Sequence, residues 1–168
     1  MSTTAVSPVP MVAQFLQTFA SEHKTTMKVL KAVPADKLDF KPHERNMSAG
    51  ELAWHIAGSQ LYIAKALASG SFSGPPPAAI PSTLDEIVAG CESFYEQTCK
   101  VLSGLTQEQL QGAVSLPNGL SFPIAPFMWS GVLFHQIHHR GQLSIYIRMM
   151  GGKVPSIYGP SGDENPFA

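Results

Sequence analysis

The stretch Phe134-His135-Gln136-Ile137-His138-His139-Arg140-Gly141-Gln142-Leu143 decides how this chain is read. Three of the six histidines fall within five residues of it, inside a long apolar-periodic segment. On a helix, His135 and His139 stand one turn apart on one face, so both imidazoles can reach one ion. With Phe127 at zero and about 100° per residue, Met128, Val132, Leu143, Tyr146 and Met150 fall between roughly 100° and 160°. His135 and His139 land near 80° and 120° on that inward face, and His138 lands near 20° on its flank. Gln136, Arg140, Ser144 and Arg148 are placed on the outward side. Two imidazoles aimed into a core need partners, because an unpaired buried polar group costs roughly 2–7 kcal/mol.

Working outward, Ala125–Met150 is expected to be the last of four helices, closed by Gly151-Gly152. Val12, Phe15, Leu16, Phe19, Met27 and Leu30 recur at three- and four-residue intervals and predict a first helix from about Pro8 to Leu30, stopped at Ala32-Val33-Pro34. Ser48-Ala49-Gly50-Glu51 is a capping box that starts a second helix running to about Ser69. Its inward residues include Leu52, His55, Ile56, Ser59 and Tyr62. Gly70–Pro81, with three consecutive prolines, cannot be helix. A third helix starts at Ser82-Thr83-Leu84-Asp85-Glu86 and carries Ile87, Cys91, Phe94, Val101 and Leu102. Between it and the last helix, Thr106–Leu110 predicts a short helical turn. Pro117-Asn118-Gly119 predicts a turn between two short extended pieces.

Four amphipathic segments in 168 residues predict an all-α four-helix bundle forming a single domain. Residues 1–7 are expected to be loose, and 152–168 an irregular tail that docks. The 104–123 link is the longer one and is expected to cross the bundle between helices 3 and 4. Hydrophobic residues make up 44% and charged residues 14%, a balance that excludes disorder. A net charge of -1 offers no basic field for nucleic acid. Cys91 and Cys99, eight apart on one helix, are separated by about 12 Å of rise, too far for a disulfide. Separated thiols suit a reducing compartment. No stretch has the length of a membrane span, and the first residues lack the pattern of a secretion signal. The expected location is the cytoplasm.

A divalent ion needs a third ligand beside His135 and His139. His55 is the nominee; His23 and His138 are weaker, His23 reading more simply as a hydrogen-bonded core residue. Glu51, Tyr62 and Tyr146 are the catalytic candidates. Each has a plainer reading, Glu51 as the capping-box carboxylate and the tyrosines as core aromatics with a polar tip. Cys91 and Cys99 read as small core residues, Arg140 as a surface residue, and Gly141 as a point of close helix approach. Zinc is the default ion for three imidazoles, with nickel, iron or manganese as alternatives.

The segment His135–Leu143, with Arg148-Met149-Met150-Gly151 and Pro155 after it, resembles the C-terminal signature of the DinB-like (DinB/YfiT-like) superfamily. Leu38-Asp39-Phe40-Lys41-Pro42 and Met47-Ser48-Ala49-Gly50-Glu51-Leu52-Ala53-Trp54-His55-Ile56-Ala57 resemble its first signature. The similarity spans about residues 10–160. It implies an up-down-down-up four-helix bundle with a metal held by His55, His135 and His139. It also implies homodimers formed through helix faces, which would give Leu133, Ile137 and Ile147 a place on the polar side of the last helix. Characterised members of this superfamily include metal-dependent transferases and isomerases that use low-molecular-weight thiols such as bacillithiol or mycothiol. The resemblance thus implies a metalloenzyme acting on a small molecule, by thiol S-transfer or by hydrolysis. The alternative is a non-enzymatic metal-binding stress-response bundle with a structural ion.

Overall fold

Proline at the first turn costs a helix nothing, since that N–H has no intrahelical partner, and α1 (Pro10–Lys31) begins on one. The computed structural model describes residues 7–74 and 79–167. The expectation of a loose start therefore falls outside it except at Ser7, as do Pro75–Ala78 of the proline-rich link. Helix α2 (Ala49–Ser69) is opened by the complete Ser48–Glu51 capping box and closed by Gly70 at φ 79°. Helix α3 (Leu84–Ser103) has its own box, with Thr83 accepting from the Glu86 N–H and Glu86 reaching back. A short α4 (Gln107–Gln111) follows, then β1 (Ala113–Ser115) paired antiparallel with β2 (Ser121–Pro123). Gly119, at φ 85°, takes the left-handed position of the turn between them.

The last rod is not uniform. It consists of α5 (Ile124–Phe127), a wider π-type segment (Met128–Phe134) and α6 (His135–Met149). The irregular segment contains Gly131, where a Cβ would sit 3.1 Å from two carbons of the Phe127 ring.

Two apolar clusters reveal the order of the rods. One joins Val12 and Phe15 at the start of α1 to Leu67 at the end of α2, Leu102 at the end of α3 and Met128 at the start of the last rod. The other joins Leu30, Leu52, Ile87 and Tyr146, from the opposite ends of the same four rods. The first and last rods therefore run one way and α2 and α3 the other, an up-down-down-up bundle. This corrects the expected crossover. Parallel α2 and α3 require the 70–83 link to travel the length of the bundle. The longer 104–123 link stays at one end, where α4 and the hairpin consume its residues, and Ser115 N–H donates to the Gly70 carbonyl at 2.9 Å. No helix among the described residues is long and apolar enough to cross a membrane.

The face assignment of α6 needs a second correction. Gln136 and Arg140 are buried, at 0% and 1% exposure, not outward. The rod packs against α1 as well as α2, so its buried arc is wider than one apolar stripe. Arg140 Nη1 donates to the Glu22 carbonyl at 3.1 Å and to Thr26 Oγ1 at 3.2 Å. Its Nη2 lies 2.7 Å from Glu22 Oε2 and 2.5 Å from the Tyr158 hydroxyl. Tyr158 in turn donates to Glu22 Oε2 at 2.8 Å, which ties the tail to α1. Gln136 Nε2 donates to Thr26 Oγ1 at 3.0 Å. Leu133 and Ile147 belong to the chain's own core, and Ile137 packs against it, so none of the three stands on the exposed polar side that carries Arg148. A Cβ at Gly141 would meet nothing within 4 Å; the close helix approach is at Gly90 of α3 instead, where a Cβ would sit 2.4 Å from Trp54 Cζ3 of α2.

Removing one partner of a buried ion pair leaves the other charge uncompensated. Arg140→Ala is expected to cost about 3 kcal/mol, a melting temperature roughly 6–12 °C lower. Arg140→Lys, without the planar fork, should recover less than half of that by calorimetry.

Candidate metal centre

His55 projects from the second turn of α2, and His135 and His139 from the first two turns of α6. One ring nitrogen from each lies within 4.8 Å of the other two. The ring centroids are 5.1 Å apart for His55 and His135, 4.6 Å for His55 and His139, and 4.4 Å for the α6 pair. The Nε2 atoms of His135 and His139 are 3.1 Å apart. Two nitrogens at 2.0–2.1 Å from one tetrahedral ion are roughly 3.3–3.4 Å apart, so this spacing fits a shared ion to within a few tenths of an ångström.

The electrostatics agree with that geometry. Burial holds all three imidazoles below the ordinary histidine range, with neighbouring imidazoles as a further cause. His135 is pushed down to about 4. Neutral rings have lone pairs to give, and a proton would have to compete for them. His139 Nδ1 donates to Gln142 Oε1 at 2.7 Å, which leaves its Nε2 as the lone-pair atom. His135 Nδ1 is buried without a partner among the described residues. With no cation, one of the two Nε2 atoms must donate to the other; a cation between them satisfies both. The cluster can therefore hold a metal ion.

Two cavities of about 460 Å³ each adjoin the cluster, and His55, Ser59 and Tyr62 line both. Glu51 and Trp54 complete one, and His135, Phe72 and Phe127 wall the other. Glu51 is held ionised, below the usual carboxylate range, by the Ser48 backbone N–H first and by Lys41 at 3.4 Å. The buried Ser59 hydroxyl has no hydrogen-bond partner among the described residues.

The remaining candidates lie elsewhere. Tyr146 is core, edge-on to Phe40, and lines neither cavity. His138 is exposed beside His139. His23 is bonded to Glu92 at 2.8 Å and stacked on Tyr95 at 3.8 Å, in a separate cavity of about 560 Å³ between α1 and α3. That cavity is the larger, but among the described residues no group of three ligands converges on it. Cys91 and Cys99 are free and buried, and burial pushes the Cys91 thiol up to about 12. Asp163 and Glu164 pin the tail: Asp163 pairs with Arg148, and Glu164 accepts the Ser156 N–H.

A sequence profile of the DinB family matches residues 1–165. The chain belongs to the DinB family. YjoA of Bacillus subtilis is 29% identical over 139 residues, covering 82% of this chain and 90% of YjoA. YrdA of the same organism is 27% identical over 161 residues, covering 89% of each chain. The crystal structure of the DinB-like YjoA superposes with a TM-score of 0.69 at 26% identity, over 83% of this chain and 93% of that one. A DinB-like protein from Bacillus cereus superposes with a TM-score of 0.68 at 26% identity, over 86% and 95%. In this DinB chain, Gln142 and Trp54 are site residues that the sequence reading passed over. Gln142 stands three residues after His139, and Trp54 immediately before His55; the i, i+3 spacing alone could have identified Gln142.

The depressed imidazoles make a pH prediction. An unfolded histidine takes up its proton near 6.5, whereas folded His135 resists to about 4. Between those limits the unfolded chain binds more protons, so the metal-stripped protein should lose stability as pH falls through that window. Long-range nitrogen–proton NMR should find His135 neutral at about pH 5.5; an imidazolium there would contradict the burial argument.

Proposed function

We propose that this DinB-family chain is a metal-dependent enzyme whose His55, His135 and His139 hold a divalent ion beside a small-molecule cavity. The observation that supports this most directly is the convergence of three neutral ring nitrogens within 4.8 Å at the wall of two cavities. Three imidazoles leave such an ion its full positive charge and an open position. When bound, the ion supplies Lewis acidity and lowers the pKa of a thiol or a water brought to it. Thiol S-transfer to a small electrophile is the preferred chemistry, and hydrolysis the second. Zinc is the default for this ligand set; nickel, iron or manganese also suit imidazole.

The chain's own residues would do the rest. Gln142 fixes the His139 tautomer so that Nε2 faces the cluster. Burial keeps protons off the three rings at neutral pH. Ser59 lines the wall shared by both cavities. Tyr62 lines the same wall and is the tyrosine retained as a catalytic candidate; Glu51 carries its ionised carboxylate into one cavity. The position of the histidines beside cavities favours this reading over a structural ion sealed in a core.

Elemental analysis should find one equivalent of metal in the wild-type chain and less than about a tenth of that in His135→Ala, since a tridentate site loses its grip with a ligand. Thermal shifts with a panel of low-molecular-weight thiols should appear only in the metal-loaded protein. One equivalent retained by His135→Ala would remove that residue from the site. A large loss of melting temperature on chelation, with no thiol response, would favour the structural-ion alternative.

A further inference from the structure

The two cavities beside His55 carry information about what they accept. Aromatic faces supply much of their walls: Trp54 and Tyr62 in the first, Tyr62, Phe72 and Phe127 in the second. Among the described lining residues there is no lysine and no arginine. The one carboxylate, Glu51, is already engaged by the Ser48 N–H and by Lys41. An anionic or heavily hydroxylated ligand would shed its hydration here with few groups to replace it, and that cost is not recovered. A flat apolar ligand meets faces that reward stacking.

The position of Trp54 depends on a glycine in the neighbouring helix. A Cβ at Gly90 would sit 2.4 Å from Trp54 Cζ3 and 2.7 Å from Cη2. The contact is with a rigid indole, so a side chain at position 90 has to displace the whole ring. Phe94, one turn further along α3, holds the same indole at 5.0 Å between centroids. The indole is thus backed by α3 on one side and faces the cavity on the other, and displacement by α3 is at the cavity's expense.

We propose that the molecule taken up beside His55 is a neutral, apolar, aromatic compound, and that Gly90 sets the size of its berth by letting Trp54 lie back against α3. This rests on the metal-enzyme reading for its chemistry, and names the class of electrophile that the site accepts. An incoming thiol would meet the ion, whereas its partner occupies the aromatic berth. In S-transfer the new bond joins sulfur to a carbon of that partner. The leaving group departs with the carbon's former bonding pair, and the thiol proton goes to solvent.

The test uses two dyes sharing one skeleton, neutral N-phenyl-1-naphthylamine and anionic 8-anilinonaphthalene-1-sulfonate. Binding is read by fluorescence on the full chain, zinc-loaded and zinc-stripped. The neutral dye should bind at least tenfold more tightly to the zinc-stripped chain, where no cation attracts the sulfonate. Gly90→Ala should weaken it at least tenfold with zinc stoichiometry unchanged. Tyr62→Arg, which places a cation on the shared wall, should reverse the preference, and it decides the matter if Gly90→Ala folds poorly. Equal binding of the two dyes by the zinc-stripped wild-type chain overturns the proposal, as does an unchanged preference in zinc-stripped Tyr62→Arg. Absence of zinc with dye selectivity intact overturns the metal reading instead, and zinc retained without selectivity overturns only this one.

Discussion

The His55 ring can meet His135 and His139 only because α2 comes close to the last rod. The small residue at that approach is on the last rod: a Cβ at Gly131 would sit 3.4 Å from Ile63 Cγ2 of α2. A glycine there lets the two helices draw together, so a single imidazole spans what a larger side chain would otherwise fill. Close packing also removes water from the rings, and dehydration keeps them neutral. Proximity and ligand availability thus have a common cause.

The last rod is held in place from its other side. Arg140 stands next to His139 in sequence yet faces away from it, toward Glu22 and Thr26 on α1. A fully buried guanidinium with this many partners tolerates little sliding or rotation of the rod, since any shift strands a charge. The tail adds Tyr158 to the same group. The Arg-Gly-Gln sequence after His139 therefore divides its work. Arg140 anchors the helix to α1, and Gln142 sets the tautomer of the ring that faces α2.

Much of this was legible from residue order. The i, i+4 histidines, the Ser48–Glu51 box and the period of α3 follow from local rules that tertiary packing had no reason to override. Arg140 and Gln136 were misplaced because periodicity treats polar side chains as solvent-facing. Their burial depends on Glu22 and Thr26, more than a hundred residues away, and no local window contains them. The crossover was assigned to the longer link because length was the available cue. Length does not show whether a segment travels or folds on itself, and 104–123 folds into α4 and a hairpin. The π-type segment before His135 had only Gly131 and Pro126 as signals, too little to distinguish it from ordinary helix. The cavity walls draw on α2, the 70–83 link and the last rod, so their aromatic character emerged only once those pieces were assembled.

The central claim is that one ion is gripped by three imidazoles from two helices. X-ray absorption at the zinc edge of the zinc-loaded chain measures that grip directly. The account predicts a first shell at about 2.0–2.1 Å with multiple-scattering features that fit three imidazoles, falling to two in His55→Ala. A first shell of oxygen alone, or an imidazole count that does not change in His55→Ala, would contradict it.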